Sequence, residues 1–349
     1  MQDTTVKNIL IFFAAVTMFY LLNLLSAIIL PLVLAMLIAI LVQPLINFLL
    51  KKGLPKWLIL PTFSILSLAV LFVIGLIISN TIAQIVDEQN YLLSRLLLKL
   101  DNLLIWTNDT FNTKVDSTLL VSEIYKSFGE GGIPEALSGF ASGLGSFFGS
   151  FLFFSLYYVM LLAGMANYEQ YLSFVGGDQG VNLLKEYENI RHSIFSYMWI
   201  KVLISIFTGL LTFTICMAFS IKFAVFWGFL AFLLNFIPNI GSIIGTILPI
   251  LMGIIQIDSI TDIAILAILL IALQFIMGNI IEPIIMGNRL RINTLTVLFG
   301  LVFWGYIWGI PGMILSVPLL VIMKIILERS PGFSFFARLM GYPVKEKHT

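Results

Sequence analysis

The residues best suited to chemistry lie in a nearly apolar stretch, 226–288. Glu282 follows Asn279 at the end of an apolar run and precedes Pro283. A residue before proline is biased away from helical geometry, which predicts free carbonyls beside this carboxylate. A carboxylate so placed could take a proton or Na⁺, or bind substrate hydroxyls; the other reading is an interfacial salt bridge to Arg289 or Arg291. Asn235, Asn239, Gln274 and Asn279 are amides with both donors and acceptors, suited to a small polyol or a hydrated ion, or else to hydrogen bonds between helices. Pro238 and Gly241, and further on Pro311 and Gly312, break the apolar runs around them. Backbone broken at membrane depth survives only where protein or a water-filled cavity satisfies the freed groups, so this punctuation points to a transport site.

Other chemistries find no residues to carry them. The sequence has no HExxH, no GxSxG elbow and no GxxxxGK[ST] phosphate loop, which excludes ATP-driven transport within this chain. Gly176-Gly177-Asp178 sits in a polar loop and does not match an intramembrane aspartyl protease. His192 and His348 are far apart in sequence, and His192 reads as a surface residue. Cys216 is the single cysteine, which rules out an intramolecular disulfide and reads as a small buried apolar residue. Lys201 lies just inside an apolar run, and snorkelling to the headgroups is preferred over a place on an ion pathway. No catalytic residue, metal site or cofactor is expected.

The elements that must position these residues are membrane helices. Of 349 residues, 60% are hydrophobic and 11% charged, against about 25% charged in soluble proteins. Mean hydropathy is +1.05. The net charge of +1 offers no basic field for nucleic acid. About 20 residues at ~1.5 Å each span a ~30 Å hydrocarbon core, so Ile9 to Leu30 crosses, Pro31 marks a turn or kink, and Leu32 to Leu50 returns. Lys51, Lys52 and Lys56 place the next loop in the cytoplasm together with Lys7, and no small-residue cleavage site follows the N-terminus. Trp57 to Ser79 crosses again.

From Asn80 to about Ser142 the pattern is amphipathic. Ile82, Ile85, Leu92, Leu93, Leu96 and Leu100 recur at helical spacing among Asp87, Glu88, Arg95, Lys99 and Asp101, and a second short helix is predicted from Asp116 or Ser117 to Gly129. Leu144 to Met165 is the fourth crossing, preceded by glycines at four-residue spacings. Asn167 to Arg191 is a polar cytoplasmic segment leading into the fifth crossing, Met198 to Phe219.

Beyond Lys222 the sequence echoes itself. Phe226-Trp227-Gly228, an apolar arm, a turn at Pro238-Asn239-Ile240-Gly241 and a second arm with Pro249 are answered by Phe303-Trp304-Gly305, a short arm, a turn at Pro311-Gly312 and a second arm with Pro318. The arms, Phe223 to Ile237, Ile240 to Ile257, Thr294 to Gly309 and Met313 to Leu327, are short enough to be re-entrant. Five crossings from a cytoplasmic N-terminus make the first hairpin enter from outside and return near Asp258 to Asp262. Ile263 to Met277 then crosses inward, so the second hairpin enters from inside. Two similar hairpins of opposite orientation point to a secondary transporter with its site between repeats.

The segments WGFLAFLLNFIPNIGS (227–242), GNIIEPIIMGNRL (278–290), FWGYIWGIPGMILSVPL (303–319) and LPLVLAMLIAILVQPLINFL (30–49) resemble the autoinducer-2 exporter family, also called PerM-type permeases. The likeness covers nearly the whole chain except 80–142. It implies a multi-pass bacterial inner-membrane protein with cytoplasmic termini, working without ATP as a homo-oligomer, a pentamer by family analogy. Its cargo would be autoinducer-2 or a similar small hydrophilic solute; some members are Na⁺(Li⁺)/H⁺ antiporters. The expectation is therefore an all-α polytopic membrane protein of about eight membrane segments, with partners limited to the bilayer, the solute, a coupling H⁺ or Na⁺ and copies of itself. Its parts are helices in 1–79, the amphipathic extramembrane segment 80–142, helices four and five in 143–222, a transport core at 223–329 and a tail at 330–349. Asn235, Pro238, Asn239, Gly241, Asn279, Glu282, Pro283, Pro311 and Gly312 are the candidate binding residues. A non-transporting scaffold built on 80–142 is the reading from a different class.

Overall fold

The computed structural model describes residues 2–111, 151–164, 180–286, 292–329 and 332–341, and among them every regular element is a helix. In chain order these are α1 (Gln2–Leu24), α2 (Ser26–Lys51), α3 (Lys56–Phe111), α4 (Phe151–Gly164), α5 (Gly180–Ala218), α6 (Ala224–Leu234), α7 (Ile240–Gln256), α8 (Ile260–Met286), α9 (Thr294–Arg329) and α10 (Ser334–Met340). Of the described helices, α2, α3, α5, α8 and α9 are long and apolar enough to cross a bilayer, and α4, α6 and α7 are shorter apolar helices. The protein is an all-α polytopic membrane protein. The predicted helix at 116–129, the glycines at 139–149 and Arg289 and Arg291 lie outside the described residues.

Two boundaries differ from the sequence expectation. The first break falls at Leu25 (φ −92°, ψ 15°), not at Pro31, which is buried inside α2. Pro31 lies in the second turn of α2, where the helix gives up one hydrogen bond to it and continues. The third crossing does not stop at Ser79 either. α3 runs unbroken for 56 residues, about 84 Å at ~1.5 Å per residue: Gly75, five residues before Asn80, is carried inside the helix, and no proline follows Pro61 within it to end it. The amphipathic segment thus begins as a rigid extension of a membrane helix.

Both hairpins form, and each is closed by a glycine. In the first, the turn passes through Asn235 to Asn239, with Asn239 left-handed (φ 60°). A Cβ on Gly241 would overlap the carbonyl oxygen of Leu234, so the second arm can start against the first only with glycine there. In the second, α9 folds back at Gly309 (φ 65°, ψ −145°) rather than at Pro311-Gly312. Pro311 suits the first turn of the returning arm, and a Cβ on Gly312 would overlap the carbonyl oxygen of Trp304. The repeated Phe-Trp-Gly does not repeat a role. Gly228 packs outward on Gly209 of α5, whereas Gly305 faces Met313 of its own hairpin.

Contacts with neighbouring helices fix how the two hairpins are held. The first arm of α9 runs alongside and parallel to α1: Phe19 meets Phe303 edge-on at 4.8 Å, Asn23 Nδ2 donates to the Ile307 carbonyl at 2.8 Å, and Trp308 Nε1 donates to the Leu22 carbonyl at 3.0 Å. α3 packs on α2 through Ile46, Ile59 and Phe63. Its far end ties down the open end of the first hairpin. Arg95 and Lys99 reach Asp258 at 3.2 and 2.8 Å, and Lys222 pairs with Glu88 and lies over the Tyr91 ring. Hydrogen bonds from Lys99 and Arg95 hold the Asp258 carboxyl below the usual carboxylate range. The open end of the second hairpin is tied where Ile292, Leu320, Val321 and Met340 cluster and Asn293 Nδ2 donates to the Leu339 carbonyl at 2.6 Å.

If these glycines close the hairpins, Gly241→Ala and Gly312→Ala will each lower the thermal midpoint of the purified protein. Gly164→Ala, where a Cβ meets nothing within 4 Å, will leave it unchanged. Equal midpoints for all three variants in a detergent melting assay would contradict the packing.

Candidate functional site

The polar groups of the core gather on α5. Its first half packs on the second hairpin, with Ile194 beside Trp304, Trp308 and Leu315. Its second half packs on the first hairpin at Gly209 and Gly228, whose missing Cβ atoms let the backbones approach. α8 descends antiparallel to α5: Cys216 adjoins Leu266 and Leu270, and one stage further Ile200 and Ile204 adjoin Met277.

Between the two hairpin contacts lies a buried ion pair. Lys201 Nζ donates to Glu282 Oε1 at 2.6 Å, with the lysine side chain 3% exposed and the glutamate 23%. Lys201 does not snorkel, because its ammonium finds a carboxylate closer than the headgroups. Glu282 reaches it through a π-helical turn, Ile276–Ile281. Leu270, Gln274 and Met277 of α8 are buried, and Ile281 continues that face by packing on Ile200, Ile204 and Met277. The wider π turn adds a step of five from Met277, so Glu282 faces α5 beside Ile281. Glu282 itself is helical (φ −59°, ψ −49°), contrary to the unwinding expected before Pro283, because the π turn rearranges the hydrogen-bond ladder ahead of the proline.

One turn further along α5, Asn235 at the tip of the first hairpin donates from Nδ2 to Ser205 Oγ at 2.8 Å, both buried. Gln274 is buried against Gly245 of α7. Thus Asn235 and Glu282, far apart in sequence, are brought to neighbouring turns of α5. The other proposed residues are spread more widely. Pro238 is half-buried and Gly241 buried in the hairpin turn, while Asn239, Asn279 and Pro283 are exposed. Pro311 and Gly312 lie with Trp304 and Trp308 in the second hairpin, which packs on a different stretch of α5 from the first. Among the described residues no three His, Cys, Asp or Glu side chains cluster as a metal site.

Sequence reasoning missed the partner of Lys201 and the serine and threonines that follow it. The signal was present: Lys201, Ser205, Thr208 and Thr212 share one helical face inside an apolar run. The π turn left only a weaker trace, a glycine and a proline five residues apart at Gly278 and Pro283.

Two broken helical hairpins packed on a common spine, with a charge pair on the stretch between their contacts, suit a membrane transporter. Residues 8–332 match the AI-2E family transporter, and the chain belongs to that family. It is 31% identical over 325 residues to a Haemophilus influenzae protein provisionally named for transport, covering 91% of each chain. It is 44% identical over 155 residues to the AI-2 transport protein TqsA of Escherichia coli, covering 44% of each chain, and 26% identical over 317 residues to YhhT of the same species, provisionally named for transport, covering 90% and 88%.

Breaking a buried pair strands a charge and costs roughly 3–5 kcal/mol, whereas removing both charges is close to neutral. Lys201→Met and Glu282→Gln will therefore each lower the thermal midpoint, and the double variant will recover most of the loss. A double variant as unstable as the sum of the two would show that the charges are not coupled.

Proposed function

We propose that this protein is a secondary transporter that exports autoinducer-2 or a similar small hydrophilic solute across the bacterial inner membrane by alternating access, with both termini in the cytoplasm. The observation that carries the reading is the Lys201–Glu282 pair, held at 2.6 Å beside the tip of the first hairpin. An ion pair inside a membrane bundle is costly to maintain, and such groups mark solute or ion pathways. Asn235, Pro238, Asn239, Gly241 and Glu282 form the proposed site on the first hairpin and α8, with Asn279 within the π turn, Pro283 just after it and Pro311 and Gly312 at the second hairpin. The name of TqsA supports the choice of autoinducer-2, and the lysines flanking α2 and α3 support the orientation.

The carboxylate also favours coupling to H⁺ or Na⁺: it can exchange its lysine partner for either cation when the pair opens. Na⁺(Li⁺)/H⁺ antiport at Glu282 is accordingly the second reading.

Proteoliposomes of the purified protein test both. Labelled autoinducer-2 will cross faster than in empty liposomes, and Glu282→Gln will abolish the difference. A Na⁺-driven pH change without solute movement would instead favour antiport. Neither flux from well-folded protein would refute the transporter reading and leave the scaffold.

A further inference from the structure

The ion pair continues into a column of hydroxyls. Ser205, Thr208 and Thr212 follow Lys201 at steps of four, three and four, which keeps all of them on one face of α5. Their exposures are 0%, 0% and 1%. The side chains are satisfied unequally. Ser205 accepts from Asn235, and Thr208 Oγ1 donates to the Ile204 carbonyl at 2.8 Å. Thr212 Oγ1, enclosed in the core, makes no hydrogen bond among the described residues.

A hydroxyl buried without a partner destabilises a fold, and valine would fill the same space without that penalty. Thr212 therefore needs a reason outside packing. One turn beyond it, Cys216 joins Ile221, Met252, Leu266 and Leu270 in an apolar cluster that closes the column. At the other end stand Lys201 and Glu282. The first hairpin meets α5 beside this column at the glycine crossing of Gly209 and Gly228, and at the Asn235–Ser205 hydrogen bond, which a solute hydroxyl can replace.

We propose that Lys201, Ser205, Thr208 and Thr212 line a solute route along α5, closed in this structure, and that Thr212 is a binding station for an uncharged, hydroxyl-bearing solute. The inference rests on the transporter reading and extends its site by three residues. When the first hairpin parts from α5, Ser205 and Asn235 exchange their mutual bond for bonds to the solute or water, and the Thr212 hydroxyl gains the partner it lacks.

The test does not depend on knowing the cargo. Thr208→Cys and Thr212→Cys are made singly in a Cys216→Ala background, reconstituted in proteoliposomes and treated with a membrane-impermeant thiosulfonate. Ala39→Cys, at a 0% exposed position in the α2–α3–α4 core, reports spontaneous breathing. The introduced thiols on α5 will react several-fold faster than the one at position 39. Equal rates would overturn the route, whatever solute flux shows. Labelling without autoinducer-2 flux would keep the route and remove that solute from the functional reading. Thr212→Val supplies a second measurement: it will melt no lower than the unmodified protein, and a clear fall in its midpoint would show a structural partner for the hydroxyl and overturn the station.

Discussion

An ammonium group inside an apolar helix cannot be left alone, and much of this core follows from how Lys201 is neutralised. Its side chain is too deeply enclosed to reach water, so a carboxylate has to come to it. The carboxylate is on α8, directly after the π turn at Ile276–Ile281, whose wider step brings Glu282 to α5 beside Ile281. Gly278 lies within that turn and Pro283 follows it, and the proline that would have unwound a regular helix is accommodated by the turn before it. The charge pair thus couples α5 to α8 at one level, between the stretches of α5 that carry the two hairpins.

The hairpins obey a second constraint, the absence of a Cβ where one arm must start against the carbonyl of the other. Gly241 and Gly312 meet it in the same way, and a left-handed residue precedes each turn of the returning arm, Asn239 in one and Gly309 in the other. Their open ends are anchored by different chemistry. Ion pairs from the α3 extension hold the first, on its aqueous side, while the second is covered by α10 through apolar contacts and the Asn293 hydrogen bonds. The first hairpin is further joined to α5 by a glycine crossing and the Asn235–Ser205 hydrogen bond.

The sequence made the hairpins legible because proline and glycine act locally. Counting crossings assigned Asn80 to Lys99 and the loops at Lys222 and Asp258 to one face, and they do meet. What stayed hidden was phase and partner choice. A π turn changes which side of a helix faces inward without changing its composition, so Glu282 seemed equally suited to the nearby arginines. Lys201 looked like a headgroup anchor because nothing in its own segment could pair with it. Polar spacing read along a single helix would have shown Ser205, Thr208 and Thr212 beside it. The continuity of α3 was missed for a simpler reason: a change from apolar to amphipathic pattern marks a change of solvent and says nothing about whether the helix stops.

The account rests on the Lys201–Glu282 pair being opened during transport and not merely holding helices together. Difference infrared spectroscopy of the protein in lipid, on adding autoinducer-2 or Na⁺, observes that carboxylate directly. The predicted result is a change in a carboxylate band that is absent in Glu282→Gln and altered in Lys201→Met. No carboxylate change in unmodified protein under conditions where flux is measured would contradict it, and the pair would then be structural.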